Sequence, residues 1–223
     1  MPPCSPHRLV DRPTRDVDLF SPQPADLPAA AAHLRTELTR RGHHVTEDRR
    51  TDTFVELIVV TADGRTVGVQ LAVDARRREP VALDVGPVLH PEELAADKTL
   101  ALFDRATARD LVDVTALADR YPLPQLLDLA ADKGPGFDPA IFADAIRRAA
   151  ARPDHDYTRL GLSPTALNEV RRRAASWHRQ LVADASARRS GDPRPGPDPP
   201  PPTSPSAPPA PAPPPVRYRR RSR

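Results

Sequence analysis

At His90 the chain changes its period, and that change limits the folds open to it. Before it lie three β-like runs, HHVTED, TFVELIVVT and RTVGVQLAVDA. After it come five segments of helical texture: PEELAADKTLALFDR, ARDLVDVTALADR, PLPQLLDLAADKG, DPAIFADAIRRAAA and SPTALNEVRRRAASWHRQLVADA. A period of two suits strands and a period of 3.6 suits helices. Strands followed by helices, rather than alternating with them, predict an α+β fold in which a small mixed sheet precedes a helical C-terminal half. One further helix is expected ahead of the strands, in ADLPAAAAHLRTELTRRG. Asp26 is its candidate cap, Leu34 and Leu38 share a face, and Gly42 stops it. The turn Ala62-Asp63-Gly64 should join the last two runs as a hairpin, and a short run, VALDVG, precedes Pro87.

From about Gly191 the chain reads GDPRPGPDPPPPTSPSAPPAPAPPPVRYRRRSR. Proline has a fixed φ and no amide hydrogen, so this stretch is expected to be an extended, disordered tail. The expected division is therefore 1–89 for the α/β core, 90–187 for the helical region and 188–223 for the tail. The net charge of +3 divides unevenly, because residues 190–223 carry six Arg and two Asp, or +4, which leaves −1 for the body. A globular nucleic-acid binder carries its basic patch on the fold itself, whereas here the excess sits in the tail. The terminal RYRRRSR is either a contact for anionic partners such as RNA or part of a solubilising tail with no dedicated partner. No apolar stretch approaches the length of a membrane span. The start, MPPCSPHRLVDRP, has no apolar signal-peptide core, and Cys4 is the only cysteine, so a cytoplasmic protein is expected. Lys98 and Lys133 are the only lysines among 33 Lys and Arg, which makes their positions informative.

The stretch RPTRDVDLF carries the first chemistry. On a strand, Asp16 and Asp18 point to one face while Val17 and Leu19 point to the other. Two carboxylates one strand-step apart repel unless a cation lies between them, and hard oxygens of this kind suit Mg²⁺ with phosphate oxygens completing its shell. On the later strand VGVQLAVDA, alternation places Gln70, Ala72 and Asp74 together, and Asp74 is a candidate third carboxylate. Lys98 and Arg105 lie two turns apart on one helix face, and the next helix begins with Arg109, Asp110 and Asp113. A lysine spent beside two arginines suggests an anion site. His43, His44 and the DHD at 154–156 lack metal-ligand spacing and read as surface residues, and Trp177 with Leu181 reads as core packing.

Taken together, R-x-T-x-D-x-D-L and K-x6-R-x3-R-D-x2-D resemble the AbiEii/AbiGii nucleotidyltransferase toxin family, within the DNA polymerase β-like superfamily. The likeness spans about residues 7–185. It implies a nucleotidyltransferase core, Asp16 and Asp18 as Mg²⁺ ligands, and Asp113 as the essential late aspartate. It also implies nucleotide contacts from Lys98, with Arg105, Arg109 and Thr14 expected beside it, and Arg109 and Asp110 holding two helices in register. Relatives act as toxins of toxin–antitoxin or abortive-infection systems. They use an NTP, and some add nucleotides to tRNA, so an NTP, an RNA or protein acceptor and an antitoxin are the expected partners.

Two departures from the family pattern stand out. The family's Gly-Gly or Gly-Ser turn, upstream of Asp-x-Asp, has no counterpart in PPCSPHR, so the chain is expected to be shortened at its N-terminus. Gln70 stands where relatives carry an acid, and a glutamine cannot act as a base. These departures keep two further readings open: an inactive remnant acting as a binding module, and a transferase acting on small molecules.

Overall fold

The computed structural model describes residues 16–21 and 23–189. Thr14, Cys4, the N-terminal turn region and the Pro/Arg tail lie outside them. Six strands and seven α-helices occur among the described residues in the expected order. The strands of the main sheet are β1 (Asp16–Ser21), β2 (His44–Thr51), β3 (Phe54–Val60) and β4 (Thr66–Val73), arranged β1-β4-β3-β2. β1 runs parallel to β4, whereas β2, β3 and β4 form an antiparallel meander, so the sheet is mixed. β2 extends well past the short run read from HHVTED, because its charged residues need only an exposed edge and a partner backbone. The β3–β4 hairpin turns at Gly64, whose φ of 82° is a left-handed value that glycine adopts without a Cβ clash. The segment around VALDVG forms two strands, β5 (Val81–Leu83) and β6 (Gly86–Val88), paired as a small separate hairpin.

Helix α1 (Leu27–Arg40) follows a 3-10 turn over Pro24–Asp26. Asp26 occupies its cap position but makes no capping bond; its carboxylate accepts from the Ser21 hydroxyl at 3.2 Å instead. Leu27 and Ala31 of α1 cover Val55, Leu57, Val59, Val69 and Leu71, the alternate residues of the two central strands. Burying each of these larger side chains contributes about 1.5–3 kcal/mol, which makes this face the anchor of the sheet.

The helical half comprises α2 (Pro91–Arg105), α3 (Ala108–Leu117), α4 (Leu123–Lys133), α5 (Pro139–Ala150), α6 (Asp154–Thr158) and α7 (Pro164–Arg189). The DHD sequence lies in the short α6. Its core is a second apolar cluster, built on Leu102, Leu111, Leu126, Phe142, Ile146 and Trp177, and it shares no residue with the first. The described residues up to Ser186 form one compact unit, and residue 90 is where it passes from strands to helices.

Candidate active site

The face of the sheet opposite α1 carries the acids. Register pairs Asp16 with Gly68 and Asp18 with Gln70, and Gln70 in turn with Glu56. Cross-strand partners share a face, so Asp18, Gln70 and Glu56 form one row across three strands. Gly68 is what leaves room for Asp16: a Cβ there would lie 2.8 Å from the Asp16 Oδ1 atom. Asp18 sits on an exposed edge strand, yet enough protein surrounds its carboxyl group that burial raises its pKa. The charge of Lys98 opposes that shift and the neighbouring Asp16 adds to it.

Lys98 projects from α2, and its Nζ lies 2.8 Å from the Asp113 carboxylate of α3. Asp113 is only 1% exposed while Lys98 is 26% exposed, so the acid is a buried anchor and the ammonium is the accessible partner. Ahead of it, Arg105 grips Asp110 through Nη2 at 2.6 Å and Nε at 3.3 Å. Asp110 also closes a capping box with Thr107, the residue before α3. Ala106 makes the corner between α2 and α3 in a left-handed conformation, with φ 48°. Arg105 and Asp110 thus staple the two helices that carry Lys98 and Asp113. Arg109 lies exposed on the first turn of α3.

Asp74 lies one residue beyond β4, four residues past Gln70. It is held by Lys133 Nζ at 2.9 Å and by Arg76 Nη1 at 3.0 Å. The acid that Gln70 bonds is Glu56, whose Oε1 accepts from Gln70 Nε2 at 3.1 Å. A carboxylate can only accept, so this bond sets the amide's orientation and leaves its oxygen for other partners. Sequence reading passed over Glu56, although FVELIVV carries its signal: one acid in an otherwise apolar strand. It also passed over Glu93 and Asp97 as partners of Lys133, and over Arg76, which shares those acids.

The donor set of Asp16 and Asp18 fits Mg²⁺, which takes one or two protein carboxylates plus phosphate oxygens. Among the described residues no group of three or more His, Cys, Asp or Glu forms a closed metal cage, and a site completed by substrate needs none. A small mixed sheet bearing Asp-x-Asp, faced by a helix-borne lysine, marks a nucleotidyltransferase. Residues 7–198 match the family model described as nucleotidyl transferase AbiEii toxin, type IV TA system, and the chain belongs to that family. Among solved structures, the fold is similar to that of MenT4, a nucleotidyltransferase toxin from Mycobacterium tuberculosis. The match has a TM-score of 0.51 and 21% identity, covering 80% of this chain and 72% of that one. A search of curated proteins finds no match. No helix among the described residues is long and apolar enough to cross a membrane.

Proposed function

We propose that this protein transfers a nucleoside monophosphate from an NTP to a hydroxyl of an RNA, with tRNA the first acceptor to test, as the toxin of a toxin–antitoxin pair. The observation that carries the reading is the opposition of the Asp16–Asp18 face to Lys98, with Gly68 clearing space at the first carboxylate. Asp16 and Asp18 would hold Mg²⁺, which when bound neutralises charge on the triphosphate. Lys98 supplies a positive charge for the phosphate oxygens, and the buried Asp113 fixes where that charge stands. The acceptor hydroxyl oxygen attacks the α-phosphorus and the bond to the bridging oxygen breaks. Pyrophosphate leaves, and the hydroxyl proton passes to water. Little covalent work falls to the protein, so positioning and charge neutralisation dominate. Gln70 Oε1, oriented by Glu56, stands beside Asp18 as an acceptor for a substrate hydroxyl.

The experiment incubates the purified chain with Mg²⁺, each labelled NTP in turn and total tRNA. Transfer that Asp16→Ala and Lys98→Ala abolish supports the reading. Equal transfer by Asp16→Ala, or none by the wild-type chain, overturns it, and the latter favours a binding module that keeps the fold.

A further inference from the structure

The two apolar cores share no residue, which directs attention to the polar contacts between the sheet and the helices. Among the described residues an ionic clasp joins the two. Lys133, the last residue of α4, directs its Nζ to Asp74 Oδ2 at 2.9 Å, to Glu93 Oε2 at 3.0 Å and to Asp97 Oδ1. Asp74 directly follows β4, while Glu93 and Asp97 lie one turn apart on α2. Arg76 Nη1 reaches the same three acids at 3.0, 3.8 and 3.4 Å. Its guanidinium lies 4.3 Å from the ring centroid of Phe20, which shares the strand face of Asp16 and Asp18. Glu93 Oε1 also accepts from the backbone amides of Arg77 and Arg78 at 2.6 and 2.9 Å, tying the segment after β4 to α2. Lys133 is 8% exposed and Glu93 2%.

Gathering three carboxylates and two cations out of water is costly, and apolar side chains of similar volume would hold two layers together at least as well. What the charges add is geometry. Asp97 immediately precedes Lys98 on α2, and Phe20 follows Asp18 by two residues on β1. The clasp therefore grips both elements of the candidate site within a few residues of the groups that would hold the triphosphate.

We propose that Lys133 is a positioning residue: through Asp74 and Asp97 it sets the separation between the Asp16–Asp18 pair and Lys98. The inference rests on Lys98 serving the triphosphate. Asp74 is the acid that joins Lys133 to the sheet side, so replacing it breaks that link and loosens the layers. Lys133, Glu93 and Asp97 stay paired among the helices, and the Arg77 and Arg78 amides still hold Glu93.

The test uses the full chain in a Cys4→Ser background, with spin labels at Arg35→Cys on α1 and Ala140→Cys on α5, both exposed positions. Pulsed dipolar spectroscopy gives the distance distribution between sheet and helices. Asp74→Asn is the main variant, because Lys133→Met strands three carboxylates and risks unfolding, and Lys133→Arg tests rescue. The expected result is a broadened or shifted distribution in Asp74→Asn and a near-native one in Lys133→Arg. In the transfer assay, Asp74→Asn should raise the NTP KM about tenfold, with the melting temperature close to wild type. A merely structural role would instead lower the melting temperature at constant KM. An Asp74→Asn distribution matching wild type overturns the proposal. The distance measurement needs no turnover, so it decides the clasp even where no label is transferred. An unchanged distribution alongside an inactive Asp16→Ala would sink the clasp and leave the site reading standing.

Discussion

Lys98 and Asp113 meet at 2.8 Å as an unequal pair, with the acid almost fully buried and the lysine partly in water. That inequality predicts unequal effects on stability. Lys98→Met leaves a buried carboxylate without its cation and should cost about 3 kcal/mol. Asp113→Asn leaves an ammonium that can turn to solvent and should cost about 1–2 kcal/mol. Urea unfolding of both variants checks the order, and equal costs would show that the acid's other contacts carry it. Both variants should lower nucleotide transfer, since one lacks the charge and the other its anchor.

Gly68 offers a cleaner separation of site from fold. A methyl group there would meet the Asp16 carboxylate at 2.8 Å, and the atom that must yield is the end of a side chain rather than backbone. Gly68→Ala should therefore change stability by no more than about 1 kcal/mol. It should weaken divalent-ion binding about tenfold by displacing one oxygen of a two-carboxylate site. Mn²⁺ titration followed by electron paramagnetic resonance reads the affinity, and native affinity in the variant would remove Asp16 from the ion's ligands.

At the α2–α3 corner, Asp110 receives Arg105, the Thr107 amide and the Thr107 hydroxyl, whereas Arg105 is 62% exposed. Asp110→Ala removes a cap and strands several donors, so it should cost about 2–3 kcal/mol. Arg105→Ala loses an exposed pairing worth about 1 kcal/mol or less. Thermal melts compare the two. An Arg105→Ala variant that melts normally but loses NTP binding would assign that arginine to substrate as well as to the staple.

The clasp should also show in the acid limb of stability. Burial alone would raise Glu93, but hydrogen bonds from Lys133 and from the Arg77 and Arg78 amides outweigh it and hold its carboxyl below the ordinary 4.5. A carboxyl depressed in the folded state contributes stability that is fully present above that ordinary value and lost as pH falls through the depressed one. Asp97 works the other way, because burial raises it despite Lys133. Glu93→Gln should therefore melt at a lower temperature near neutrality and lose less on acidification below pH 4.5 than wild type does. Parallel melting curves across that window would place the acid sensitivity elsewhere.

Much of the architecture could be read from neighbouring residues. The span of α2 follows from Pro91 at its start and the apolar repeat up to Arg105, and the β3–β4 hairpin follows from two alternating runs around Gly64. The shared face of Asp16 and Asp18 needs only the alternation of a strand. The α6 turn escaped notice because five residues carry too little periodicity. The length of β2 escaped because a charged edge strand has no apolar signature. Alternation puts Asp74 on the face of Gln70, and it does not reveal that Lys133 and Arg76 approach that strand end from elsewhere.

The sequence by itself determined the order of elements, the Asp-x-Asp face and the Lys98–Asp113 motif, since each rests on spacing within one strand or two consecutive helices. Only the tertiary structure decided that Glu56 stands beside Gln70, a pair 14 residues apart joined by hairpin register. It alone brought Lys133 to Asp74, Glu93 and Asp97, which are 59, 40 and 36 residues away. Local periodicity reports the face a side chain takes on its own element. Which charges meet across elements depends on strand register and helix packing, and those are set by the two apolar cores.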